Sequence, residues 1–343
     1  MIDLLNIKPH EVSRDMRGYS IFLFGDPKSG KTTAASKFPK SLILAFEKGY
    51  AALPGVMANP INSWSEFRKV LRQLKDPAVQ EMYETICIDT ADVAYTYCEK
   101  YVCANANVDA VDKIPYGQGW GMVAKEFDEC LRLIIQLNYG LVIISHSEDK
   151  TFKNEQGEEY NKIIPTLGKK PRLIVSRLCD IIGYSRSVEV EGGRYETKLF
   201  MRGTPRYEAG SRFKYTPDYI DFSYTNLVKA IGDAIDKEAE ETGNVYVTNE
   251  KVNVYTTSAE LNFDSLMMLF NNDSSYLMKI NPEFYGPRIV HIVDSYLGKG
   301  KKVSDANRDQ VEALSLIVDE LKELITEMET LEMEVETFEE IET

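Results

Sequence analysis

Apolar residues fall along this chain in two rhythms. Four short runs, at residues 21–24, 41–46, 85–90 and 141–144, have apolar interiors and close on Gly25, Glu47, Asp89-Thr90 and Ser145-His146. Between them, Val123, Phe127, Cys130, Leu131, Ile134 and Leu137 keep close to a 3.6-residue period, which marks one face of a helix. Ser63 followed by Glu66 has the spacing of a capping box, opening a helix to about Leu74. Further helices are expected through residues 95–101 and 226–235. A strand apolar on both sides must be covered on both faces, so this alternation predicts a parallel sheet between two helical layers. A β segment at 180–187 and a hairpin through Glu191-Gly192-Gly193 extend the sheet.

The rhythm changes near residue 236. Residues 237–244, KEAEETGN, read as polar linker. Helices are expected beyond it at 261–270, 287–297 and 304–325, the last capped by Ser304. The expected layout is a lead-in at 1–18, an α/β core at 19–236, a linker at 237–258, a smaller mainly helical domain at 259–325 and an acidic tail at 326–343. Length agrees, since 343 residues exceed the roughly 250–300 at which one core stops growing.

Charge sharpens that division. Residues 1–238 hold 32 acids and 32 bases, while 239–343 hold 22 acids and 8 bases, so the net charge of −14 belongs to the C-terminal part. Residues 323–343 are acidic and weakly amphipathic, which suits a frayed helix or a disordered tail. Apolar content of 43% and charged content of 27% are those of a soluble globular protein. No apolar run nears the ~18 residues of a membrane span. The opening MIDLLNIKPHEV lacks the basic start and apolar stretch of a signal peptide. A cytoplasmic protein is expected. Its five cysteines show neither CxxC nor His-paired spacing, so free thiols and no zinc site are expected.

Candidate chemistry starts where the first apolar run ends. Gly25-Asp26-Pro27-Lys28-Ser29-Gly30-Lys31-Thr32-Thr33 contains the pattern G-x-x-x-x-G-K-[ST] between an expected strand and an expected helix, the setting that identifies a phosphate-binding loop. Gly25 and Gly30 admit backbone angles that let successive amides turn toward an anion. Lys31 is placed to reach the β- and γ-phosphates of ATP, and the Thr32 hydroxyl to hold Mg²⁺. In a parallel α/β sheet ligands sit beyond the carboxyl ends of the strands, which brings three more side chains to the same edge. Asp89 is placed to hold Mg²⁺ with Thr32, or to cap the next helix. Glu47 can orient or deprotonate an attacking water, or be a solvated turn residue. His146 can sense the γ-phosphate, or be merely satisfied at a strand end.

This ordered set, GDPKSGKT, LAFE at Glu47, TICIDT at Asp89 and VIISH at His146, resembles the RecA-like ATPase core. It is most similar to the phage-encoded RecA-like ATPases associated with single-strand annealing and recombination. The likeness spans about residues 15–235 and includes YGQGW at 116–120, IIPTLGKKPR and RGTPRYEAGSRF. It implies that Glu47 is catalytic with Lys31 and Asp89, and that His146, where bacterial RecA has glutamine, couples nucleotide state to a DNA-binding loop. It also implies that Arg212, with Arg202 and Arg206 behind it, acts in trans on a neighbour's γ-phosphate in a homo-oligomer. Single-stranded DNA is the implied partner, with a single-strand-binding protein as a further one.

Residues 160–177 carry Lys162, Lys169, Lys170, Arg172 and Arg177 with no acid. Read as a loop past the catalytic edge, this stretch can pair with phosphates, or be a solvated basic surface, as the pI of about 4.9 favours. Tyr116 and Trp120 can stack bases or pack the loop onto the domain. Three classes of function remain: an ATPase acting on single-stranded DNA, a small-molecule kinase, and an ATP-switched assembly protein. A GTPase is disfavoured because Asn161-Lys162-Ile163-Ile164 fails the N-K-x-D pattern at its last place.

Overall fold

A computed structural model describes residues 9–243, 246–252 and 262–341, with side chains as far as residue 329. Parts of the expected lead-in, linker and tail, and Leu261, therefore lie outside the described residues. The chain divides into two compact units, one holding the described residues between Lys8 and Thr256 and the other those from Thr257 onward.

The larger unit opens with β1 (Val12–Ser13), β2 (Ser20–Gly25), α1 (Lys31–Ala35), β3 (Ser41–Ala45) and β4 (Met57–Pro60). It continues through α2 (Trp64–Gln73), α3 (Pro77–Met82), β5 (Thr85–Asp89), α4 (Ala91–Asn105), α5 (Gly119–Gln136), β6 (Gly140–Lys153) and β7 (Glu159–Pro165). After α6 (Lys169–Leu178) come β8 (Ile181–Val190), β9 (Arg194–Phe200), β10 (Gly210–Ser211), β11 (Tyr219–Asp221), α7 (Tyr224–Thr242) and β12 (Val247–Thr248). The main sheet runs β11-β9-β8-β2-β6-β5-β3-β4. Strands β4, β3, β5, β6, β2 and β8 are mutually parallel, and β9, β10 and β11 are antiparallel additions. This is an α/β, RecA-like P-loop fold with a predominantly parallel sheet.

Both sheet faces are sealed, as strands apolar on both sides require. On one side Phe22, Phe24, Leu44, Ile86, Ile88, Leu141 and Ile143 pack with Trp64, Phe67, Phe127 and Leu131 of α2 and α5. On the other, Ile21, Leu23, Ile43, Cys87, Val142 and Ile144 meet Ala35 of α1 and Leu227, Ile231 and Ile235 of α7. β4 has no counterpart in the apolar runs because it is an exposed edge strand ending in Pro60, a place where proline costs no ladder bond. At α2 the Ser63 hydroxyl accepts from Glu66 N (3.2 Å), while the Glu66 carboxylate takes the amide of Asn62 (2.7 Å) rather than that of Ser63.

Several boundaries differ from those expected. α7 continues through 237–242, stopping at Gly243 in the left-handed conformation (φ 62°), so the acidic KEAEET stretch is helix and not linker. β6 overshoots the sheet: its second half, Ser147–Lys153, pairs antiparallel with β7. The basic stretch at 160–177 is thus a hairpin strand followed by a helix, and not a loop.

The smaller unit contains α8 (Phe263–Ile280), α9 (Pro282–Leu297) and α10 (Val311–Ile341), packed through Leu266, Leu277, Tyr285, Ile292, Leu314, Ile317 and Leu321. α9 starts at Pro282, with Asn281 as its cap, and carries Pro287 inside; the expected start at 287 mistook the second proline for the first. Ser304 sits in a short 3-10 turn ahead of α10 and does not cap it. α10 remains helical through Ile341. Among the described residues no helix is long and apolar enough to cross a membrane.

Phe127 is fully buried, 5.1 Å from the Tyr95 ring and 5.9 Å from that of Trp64. Phe127→Ala leaves a cavity in the larger core and should cost about 3–5 kcal/mol, read as a lower midpoint in urea unfolding.

Candidate nucleotide site

β2 delivers Gly25 to the carboxyl edge of the sheet, flanked by His146 of β6 and Ser185 of β8 in register. A Cβ on Gly25 would lie 2.0 Å from the Ser185 carbonyl oxygen, so only glycine lets the loop leave the sheet there. At the far end Gly30 takes a left-handed conformation (φ 83°) and starts α1. With α1 only five residues long, the loop offers an anion its backbone amides more than a long helix dipole. Inside the loop the buried Ser29 hydroxyl shares a hydrogen bond with Ser185 Oγ (2.7 Å), and Ser147 Oγ donates to Asp26 Oδ1 (3.0 Å).

Lys31 is 5% exposed. Its ammonium donates to the carbonyls of Gly25 (2.8 Å) and Asp26 (2.7 Å). Burial lowers its pKa to about 8, opposed by the negative charges of Asp89, Asp26, Asp92 and Glu47. Thr32 Oγ1 donates to Asp89 Oδ2 at 2.8 Å. Burial raises the Asp89 pKa, with the Thr32 hydroxyl pulling the other way. A hydroxyl and a carboxylate at hydrogen-bonding distance make a pair of hard oxygen donors, which suits Mg²⁺ brought in with a nucleotide's phosphates.

Glu47 lies just past β3. The amides of Phe46 (2.7 Å) and Glu47 (3.1 Å) both donate to the Asp89 carbonyl, which fixes the Glu47 backbone beside the metal-type pair. Its carboxylate accepts from Thr90 Oγ1 (2.9 Å) and faces His146 Nε2 (3.3 Å). The sheet therefore gathers Lys31, Thr32, Glu47, Asp89 and His146 at one edge. Sequence reading missed Gly49, where a Cβ would come 2.9 Å from Asp89 Oδ2 and 3.1 Å from Thr32 Oγ1. It also missed Thr90, Ser185 and Asp92, whose Oδ1 accepts from Ser145 Oγ (3.1 Å) and Thr166 Oγ1 (2.6 Å). Their only signal was position: Gly49, Thr90 and Asp92 follow a strand's carboxyl end within a turn, while Ser185 lies inside β8, level with the end of β2.

Other expected residues lie elsewhere. Arg212 pairs with Asp180 (3.1 Å) and donates to the Arg177 carbonyl (3.0 Å). Asp180 in turn accepts from the amide of Ser20 (2.8 Å), at the start of β2, so Arg212 sits at the opposite sheet edge from its own phosphate loop. Arg202 donates to the Thr216 carbonyl (2.6 Å) and the Arg206 amide to Thr204 Oγ1 (3.1 Å). Lys162 stands opposite Lys150 in a hairpin that also carries Glu148, Asp149, Glu158 and Glu159, which dilutes the basic character of the stretch. Arg172 is largely sequestered, 3.9 Å from Glu208. Lys169 and Lys170 are exposed in the first turn of α6, and Lys170 Nζ lies 6.0 Å from the centroid of Trp120. Tyr116 is 96% exposed, and Trp120, the second residue of α5, is 42% exposed.

Fold and site together define a P-loop NTPase-type domain. The chain belongs to the AAA domain family, whose model matches residues 17–213. It is 33% identical over 333 residues to the SPbeta prophage-derived uncharacterized protein YorG of Bacillus subtilis (strain 168), a match covering 95% of this chain and 99% of that protein. Among solved structures, a KaiC-like protein from Pyrococcus horikoshii OT3 matches 56% of this chain and 81% of its own at 10% identity, with a TM-score of 0.33.

Two outcomes follow from the geometry. Gly49→Ala should push a methyl group between Asp89 and Thr32, weakening Mg²⁺-dependent nucleotide binding while sparing Mg²⁺-free binding, as titration calorimetry with and without EDTA would read. A phosphate held by the Lys31 ammonium, whose pKa burial lowers to about 8, should lose that partner as the pH rises past this value. Affinity should therefore hold below that pH and fall by up to tenfold per unit above it, one proton being taken up on binding. Titrations between about pH 7 and about pH 10 test this, and Lys31→Arg, charged throughout that range, should flatten the profile.

Proposed function

We propose that this protein binds Mg²⁺·ATP and hydrolyses it, and that hydrolysis is coupled to single-stranded DNA in phage recombination, annealing or replication. The observation that carries the hydrolytic half is the placement of Glu47: an accessible carboxylate held between Thr90 and His146, beside the pair suited to Mg²⁺. It is positioned to orient the attacking water, with Gly25 to Thr33 cradling the phosphates, Lys31 countering their charge, and Thr32 and Asp89 holding the metal.

The DNA half is supported by the exposed Trp120, with Lys170 Nζ 6.0 Å from its ring centroid, and by the exposed Tyr116 and Lys169 four and one positions away in the chain, rings for stacking bases and cations for phosphates. Lys162 and Arg172 are secondary contributors on this reading, each with acids close by. The prophage origin in the relative's name agrees with a phage setting. On this reading Arg212, which faces away from its own phosphate loop, serves the γ-phosphate of a neighbouring copy, and the active form is a homo-oligomer. An ATP-switched assembly protein is the second reading, favoured by Met268, Phe284 and Val290, which lie 66%, 47% and 59% exposed on the helical unit.

ATP turnover measured with and without single-stranded DNA separates the two. Stimulation is expected for the first, and indifference would leave the second. Glu47→Gln should lower turnover by roughly 10²–10⁴ with nucleotide affinity kept, whereas Trp120→Ala with Lys170→Ala should remove the stimulation and leave basal turnover.

A further inference from the structure

The carboxylate of Asp92 bridges the end of β6 and the turn that leads into α6, beside a direct Ser145 Oγ to Thr166 Oγ1 contact of 3.4 Å. It projects from the first turn of α4, three residues after Asp89. Its Oδ1 receives the Ser145 hydroxyl (3.1 Å) from the end of β6 and the Thr166 hydroxyl (2.6 Å) from the turn between β7 and α6. The Thr166 amide also donates to the His146 carbonyl (3.0 Å). The backbone that carries His146 to Glu47 is thus tied, within one residue, to the backbone that starts α6. Asp92 Oδ2 is buried with no hydrogen-bond partner. One oxygen therefore holds both donors while its twin holds none, so the link that this carboxylate makes between Ser145 and Thr166 passes through a single atom.

From this we infer that Asp92 is a positioning residue linking the triphosphate site to the placement of the α6 N-terminus. The inference rests on the ATP reading above. A γ-phosphate engaging Glu47 or His146 displaces the 145–146 pair, and the Asp92–Thr166 bond carries that displacement to Lys169 and Lys170. If Asp92 only stabilised the start of α4 as an acid in a first helical turn, its removal would lower stability and leave α6 indifferent to nucleotide.

Trp120 reports on α6 through its contact with Lys170. It is also the tryptophan that acrylamide can reach, because Trp64 is 1% exposed. In the full-length protein, Mg²⁺·ATPγS should change the acrylamide quenching slope. Asp92→Ala and Thr166→Val should each abolish that change while calorimetry still finds the analogue bound, Thr166→Ser should retain it, and the double variant should behave like either single one. Thr166 is exposed, so its substitution tests the link without disturbing the core. Either single variant keeping the full response would overturn the inference, as would wild-type protein that binds the analogue with no change in quenching. Wild-type protein that fails to bind the analogue removes the ATP reading and this inference together.

Discussion

The site depends on two opposite charges buried at the edge of an otherwise apolar sheet. Lys31 and Asp89 are 5% and 3% exposed, and removing an ion from water is costly unless partners replace the solvent. Here the partners are the loop's own carbonyls for the ammonium and the Thr32 hydroxyl for the carboxylate. Those are weak substitutes for a polyphosphate and a divalent cation. The lowered pKa of Lys31 and the raised pKa of Asp89 express the same deficit, and it makes the site receptive to the ligand that would relieve it.

Everything else in the larger unit holds that pair in place. β2, β6 and β5 run parallel, with Gly25 opposite His146 and Asp89 opposite Ile144 two residues earlier, so Gly25, Asp89 and His146 come close together at one edge. Glycine appears where close approach demands it, at Gly25 against Ser185 and at Gly49 against Asp89 and Thr32. Beyond the edge, β6 continues as a hairpin strand, which gives the nucleotide site a continuous backbone connection to α6 and its exposed lysines.

What sequence reading recovered was of two kinds. Features carried by consecutive residues were legible: the phosphate loop occupies one short stretch, and its glycines and lysine answer to local backbone geometry. Features set by strand ends were legible too, since an apolar run closed by a polar residue puts Glu47, Asp89 and His146 at the same edge of a parallel sheet, within two residues of one level. The basic stretch at 160–177 misled because charge was counted along the chain. Pairing β7 with the overshoot of β6 brings in acids from residues 148–159, and the fold then buries Arg172 against Glu208.

By itself, then, the amino-acid order determined that a strand, a phosphate-gripping turn and a helix would follow one another in an α/β sheet, because those elements obey short-range sterics and a hydrophobic period. The tertiary structure alone decided which distant side chains became neighbours. Asp92 meets Thr166 across 74 positions, Ser29 meets Ser185 across 156, and Arg212 is turned toward Asp180, away from the phosphate loop. Such contacts depend on strand order and register, which a hydrophobic pattern leaves undetermined: a sheet's layers seal equally well in several orders, while only one brings a given hydroxyl to a given carboxylate.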